Sequence, residues 1–202
     1  ENLQKKNKID RQTPETNIGL TEKISEVTPE YDNFITIWNL MASQPFESRL
    51  DVAANLFPQL SETEKQQFFA EHLPAPKHND ELYDAVGSNL SPQACDMLAQ
   101  YNLNATIQGA ALTNHNASPE TRLAHVNDSS SYVLRQVAYC LPLEYKDEVT
   151  KLIQKGDDQI NISLIAREDV TPEIISEIYS SDPSFHTISD IAGKYATPPE
   201  IL

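Results

Sequence analysis

Apolar residues recur along this chain at intervals of three and four, the spacing of one helix face, and strand-like alternation is absent. The first such stripe is Tyr31, Phe34, Ile35, Trp38 and Met41, following Thr28-Pro29-Glu30. A stripe at this period is what a buried helix face needs, so it reads as core rather than as a ligand groove. Structure is expected to begin near Thr21 or Thr28. A second helical pattern covers Arg49 to Leu56, and a third begins at Ser61, where Glu64 stands three residues on in the capping-box arrangement. Leu73 to Asp80 then breaks the period, because Pro74 and Pro76 remove amide donors and disfavour helix just before themselves; the stretch reads as a connector.

From Ser88 onwards the pattern becomes regular and carries a landmark, a Ser or Thr followed by Pro. It occurs at Ser91-Pro92, Ser118-Pro119, Thr171-Pro172 and Thr197-Pro198, with the prolines 27, 53 and 26 residues apart. The middle interval is twice the others, so a copy lacking its proline is expected at Lys146. The landmark has a direct physical reading. A Ser or Thr hydroxyl accepts from the amides of the first helical turn, and Pro fits the next position because its missing N–H had no partner there. Helices are therefore expected after Ser91, Ser118, Thr171 and Thr197, with Glu120, Glu173 and Glu200 placed favourably at the positive ends of their dipoles. Inward-facing apolar positions follow at matching offsets: Cys95, Val149, Ile175 and Ile201, then Leu98, Val126, Leu152, Ile153, Ile178 and Tyr179. Each unit has a second apolar cluster, at Ile107-Ala110-Ala111, Val133-Val137-Ala138, Ile160-Leu164-Ile165 and Ile188-Ile191-Ala192. Each repeat is thus two short helices, and stacking such units shares one continuous core. The expectation is an almost strand-free, all-α solenoid of 26–27-residue repeats. Residues 1–20 form a polar tail, residues 21–87 hold irregular helical repeats, and residues 88–202 form the regular array.

The run Asp182-Pro183, Ile188, Ile191-Ala192 and Thr197-Pro198-Pro199-Glu200-Ile201-Leu202 resembles the bacterial leucine-rich repeat variant family, and Val133 to Leu141 and Ala111 to Leu123 are similar to it. The resemblance covers residues 88–202 and implies a right-handed solenoid of alternating α and 3-10 helices acting as a scaffold. The repeats here are longer than that family's usual unit, which points toward full second helices and a HEAT-like array. The family transfers no catalytic residue. Iron–sulfur modules accompany some members, but a cluster needs about four cysteines, and this chain has two.

Charge narrows the partners. Fifteen Lys and Arg face 30 Asp and Glu, a formal net charge of −15, and such a field repels phosphate backbones and anionic lipid while steering basic proteins. Lys5, Lys6, Lys8 and Arg11 form a short basic run in a segment with almost no apolar residues, which reads as solvated lead-in. No apolar run is long enough to span a bilayer. Cys95 occupies a core offset and Cys140 lies at the other end of a later repeat, so free thiols are expected; that favours a reducing compartment, the bacterial cytoplasm over the periplasm. His72 and His78, or His115 and His125, lack the spacing of a zinc site. Glu144-Asp147-Glu148, Asp157-Asp158 and Glu168-Asp169 read as solvated acidic faces rather than acid–base pairs. Asn89, Asn104, Asn116, Asn127 and Asn161 open Asn-x-Ser/Thr triplets, a weak glycosylation signal without a visible export signal.

These readings converge on the expectation of a non-catalytic scaffold that binds a protein, with a basic partner favoured by the charge, along the surface of the array. No catalytic, cofactor or metal residues are assigned, and no nucleic acid or membrane span is expected. Two alternatives stay open: a HEAT-like nucleic-acid repair enzyme, which would need a basic face, and a structural spacer in an envelope or secretion assembly. The end of the chain, Thr197 to Leu202, reads as the start of another helix. The chain is therefore expected to continue, or its 175–202 edge to be covered by a partner or a second copy, with exposed side chains drawn from Ile175, Ile178, Ile188 and Ile191.

Overall fold

A computed structural model describes residues 28–73, 80–102, 104–194 and 197–201, with residues 80, 81 and 83 described in their backbone only. The tail over residues 1–20, its basic run, His78 and most of the proline connector lie outside the described residues. Among the described residues there are twelve α-helices and no strand. They are α1 (Pro29–Leu40), α2 (Phe46–Leu56), α3 (Glu62–His72), α4 (Asp80–Val86), α5 (Pro92–Tyr101), α6 (Ala105–Thr113), α7 (Pro119–Ala124), α8 (Ser131–Cys140), α9 (Lys146–Ile153), α10 (Asp158–Ile165), α11 (Pro172–Ser180) and α12 (Phe185–Ala192). Short 3-10 turns follow α1 and α2.

The predicted starts at Ser91, Ser118 and Thr171 are N-caps whose hydroxyls accept from the amides of Ala94, Thr121 and Ile174, with Pro in the first turn. Thr28 caps α1 in the same way, and Ser61 and Glu64 form the full capping box at α3. The proline-less copy starts at Lys146, where Tyr145 precedes the helix without a side-chain cap. Thr197 departs from expectation: residues 199–201 form a turn, closed by the Ile201 amide donating to Pro198 O, while Thr197 is buried and its hydroxyl bonds Ile191 O. The hydroxyl is engaged behind it, on α12, and so is unavailable to cap a helix ahead.

Helices alternate between two layers. The even-numbered helices pack in succession, α2 on α4, α4 on α6, α6 on α8, α8 on α10 and α10 on α12, while α5 packs on α6 and each of α7, α9 and α11 packs on the even helix that follows it. The even helices share a register from α6 onwards. Asn104, Ser130, Asp157 and Ser184 are their N-caps. Three residues past these caps stand Ile107, Val133, Ile160 and Thr187, and four further stand Ala111, Val137, Leu164 and Ile191; each is at most 1% exposed. Burying such aliphatic side chains stabilises the fold by about 1.5–3 kcal/mol each. Towards the N-terminus the core is aromatic: Phe68 meets Phe34 and Trp38 edge-on at 4.8 and 5.1 Å, and Arg49 lies 4.0 Å over Trp38.

Two sets of polar ties join successive units. Carboxylates hold cap amides: Asp51 accepts from Ser91 N (2.8 Å), Asp96 from Ser118 N and Oγ (both 3.1 Å), and Asp158 from Ser184 N (3.2 Å) and Thr187 Oγ1 (2.9 Å). At the other ends of the even helices, side chains reach back to carbonyls one repeat earlier. Asn114 Nδ2 donates to Val86 O (2.8 Å) and Ser88 O (2.9 Å), Arg167 Nη1 to Ala138 O (3.1 Å) and Leu141 O, and Lys194 Nζ to Arg167 O (3.0 Å). These donors satisfy the orphan carbonyls of a helix C-terminus, and the cations complement its negative dipole end.

The expected apolar edge is corrected in its membership. Ile175, Ile178 and Ile191 are at most 1% exposed, because α11 and α12 pack on each other and on α9 and α10. Ile188 is 38% exposed, and beside it Phe185 is 85% exposed. Tyr179, placed inward by its offset, is exposed as well. It directly follows the buried Ile178, whereas at the same offset on α9 both Leu152 and Ile153 are buried.

Candidate interaction face

From α6 onwards the even helices differ in chemistry from α7, α9 and α11. Helix α6 carries no charged residue, and α8, α10 and α12 carry one Asp, Glu, Lys or Arg each: Arg135, Asp158 and Asp190. Asp158 is committed to Ser184 and Thr187, and that bonding holds its carboxyl below the usual range. Helices α7, α9 and α11 hold more charge, with Glu120 and Arg122 on α7, Lys146, Asp147, Glu148 and Lys151 on α9, and Glu173 and Glu177 on α11. In a chain of net charge −15, α6, α8, α10 and α12 are therefore sparsely charged, whereas α2 holds Glu47, Arg49 and Asp51 and α4 holds Asp80, Glu81 and Asp84.

These sparsely charged helices expose large apolar groups. Tyr139 on α8 is 55% exposed, and Phe185 and Ile188 stand out from α12. Tyr132 on α8 lies over Gly109 of α6, where an added Cβ would sit 2.7 Å from the Tyr132 ring; the glycine lets α8 approach. Arg135 stacks on the same ring at 5.4 Å. Open furrows run between neighbouring even helices. One of about 470 Å³ between α10 and α12 is lined by Ile162, Ile165, Ala166 and Lys194. Another, about 370 Å³, lies between α4 and α6 beside Gly87, Ala110 and His115, and a third, about 460 Å³, lies between α2 and α4 beside Phe46, Glu47 and Asp84. They recur because the same helix pair recurs. Open, shallow furrows of mixed apolar and polar lining, with Asp190 and Lys194 in one and Glu47, Arg49 and Asp84 in another, suit contact with another macromolecule better than enclosure of a small one.

The other sequence candidates fall apart spatially or serve the fold. His115 is exposed, His72 lies against Phe68 beside Glu71, and His125 Nδ1 is 3.1 Å from Asp128 Oδ2. Among the described residues no group of three or more His, Cys, Asp or Glu is placed to hold a metal ion. Both cysteines are free; burial pushes the Cys95 thiol up to about 12 and the Cys140 thiol up to about 11, so neither is a ready nucleophile at neutral pH. Of the acidic clusters, Glu144, Asp147 and Glu168 are exposed as expected, and Glu148 pairs with Lys151 at 3.3 Å. Asp169 is exposed too, and with Asp157 and Asp158 it also serves the fold. Asp157 caps α10, Asp158 ties α12, and Asp169 forms a two-pronged 2.8 Å pair with Arg167 that lowers its carboxyl pKa. Sequence reading missed these roles and the four even-helix caps, although cap-type residues recurring at 26 or 27 positions were a usable signal. Comparison of the chain with protein-family models, with curated proteins and with solved structures finds no match.

Proposed function

We propose that this chain is a non-catalytic binding scaffold, a right-handed α-solenoid of the leucine-rich repeat variant or HEAT-like kind, whose even-helix layer receives a protein partner. The solenoid reading is supported by the succession of even helices, their 26–27-residue cap spacing and the polar ties between consecutive units. The binding reading is carried by one observation: the four helices α6, α8, α10 and α12, which expose Tyr139, Phe185 and Ile188, hold just three Asp, Glu, Lys or Arg between them. Depletion of charge with aromatic enrichment is the composition of an interface core, and an acidic surround guides a basic partner toward it. A duplex-binding enzyme would instead need clustered Lys and Arg there, and Arg135 is the one Lys or Arg on α6, α8, α10 and α12.

The test places a photo-crosslinking amino acid at Tyr139, at Ile188 and, as a control, at Glu120 in the other layer, in cells of the native organism. A discrete protein adduct from the first two positions and none from Glu120 supports the reading. Adducts from Glu120 alone, or tight binding of duplex DNA at physiological salt, refute it.

A further inference from the structure

The groove between α9 and α11 lies in the charged layer, away from the face described above, and has a specific structural origin. Elsewhere in the odd-numbered layer, each Ser or Thr cap has a carboxylate on its amide: Glu64 on Thr28 and Ser61, Asp51 on Ser91, and Asp96 on Ser118. Among the described residues, no side chain bonds the amide of Thr171. The reason is in the register. Asp96 stands five residues past the cap Ser91; five past Tyr145, the corresponding position of α9, stands Thr150. Without that tie the helices leave a groove of about 280 Å³, walled by Thr150 and Thr171, with Leu143, Val149 and Ile174 as its apolar lining.

Its rim is charged. Glu173 and Glu177 flank it from one helical turn to the next on α11, and Lys146 stands across. Neither glutamate forms a salt bridge within 4.0 Å among the described residues. Like charges at this spacing repel, and a cation between them relieves the repulsion. Glu173 is held in its ionised form by its own backbone amide first and by Thr171 and Lys146 besides.

We infer that the α9–α11 groove is a docking site for a basic protein segment, one aliphatic side chain entering between Val149 and Ile174 while an adjacent Arg or Lys bridges Glu173 and Glu177. This goes beyond the even-layer site and deepens the reading of the chain as a scaffold by adding a second contact of stated chemistry.

The test titrates the whole protein with the blocked peptide Gly-Arg-Leu-Leu-Arg-Gly, followed by amide NMR shifts. Shifts clustering at Val149, Thr150, Thr171 and Ile174 are expected. The Glu173→Gln/Glu177→Gln variant should bind roughly tenfold more weakly, as loss of a charge-assisted contact implies. Thr150→Asp, which supplies the missing tie, should abolish binding without lowering the melting temperature. Tyr139→Ser should leave peptide binding unchanged, which separates this site from the even-layer face. Peptides with Leu→Ser or Arg→Glu should not bind. Absence of saturable shifts, shifts centred on α8 and α12, or full binding by Thr150→Asp would each overturn the inference.

Discussion

Glu64 gives the sharpest test of how this fold is joined at its N-terminal end. Its carboxylate is 3% exposed and accepts from Thr28 Oγ1 at 2.7 Å, Ser61 N at 2.8 Å and Ser61 Oγ at 2.8 Å, so one side chain caps α3 and grips the cap of α1. The Thr28 hydroxyl contributes most to holding its pKa near 2, down from 4.5. A shift of that size corresponds to about 3 kcal/mol, trimmed to about 2 because the Thr28 edge retains some solvent. The native pKa is the depressed one. The stabilisation is therefore fully present above about pH 4.5 and is lost as pH falls toward 2. Glu64→Gln keeps the shape and one acceptor but loses the charge. Urea unfolding at a series of pH values should show the variant about 2 kcal/mol less stable at pH 7, with the gap closing between pH 4.5 and 2. A gap under about 0.5 kcal/mol at pH 7, or one that does not change with pH, would refute the reasoning.

Other substitutions probe the remaining joints. Arg167→Met should cost about 2–3 kcal/mol in urea melts, since it strips the buried donor from Ala138 O and Leu141 O and leaves Asp169 without its fork. Gly109→Ala gains about 1 kcal/mol of helix propensity but meets the Tyr132 ring, an overlap costing about 1–3 kcal/mol. The added Cβ would also stand 2.8 Å from Gln136 Cγ, so the change should lower the melting temperature in the native background and raise it in a Tyr132→Ser/Gln136→Ala background. Cys95 should resist a disulfide reagent in the folded protein, with Cys140 reacting slowly, and both should react at once in denaturant; fast native labelling of Cys95 would contradict its complete burial.

What the sequence determined by itself is local. The Ser/Thr-Pro caps and the capping box at Ser61 are written within about one turn of chain, where hydroxyl-to-amide geometry and the missing proline N–H act directly, while the unmarked copy at Lys146 follows from the repeat interval alone. The tertiary structure decided whatever depends on a neighbour a repeat away. Thr197 has the same letters as Thr171, yet its hydroxyl is drawn to Ile191 O, so the same dipeptide opens a helix in one place and a turn in the other. Ile188 and Ile191 are the same residue on one helix, and packing buries the second while leaving the first 38% exposed. Asp96 and Thr150 differ by one side chain at one register position; whether that closes a groove or leaves it open follows from which helix the next repeat lays alongside. Periodicity tells which positions share a face. Only packing tells how much of that face the neighbouring helix is wide enough to cover.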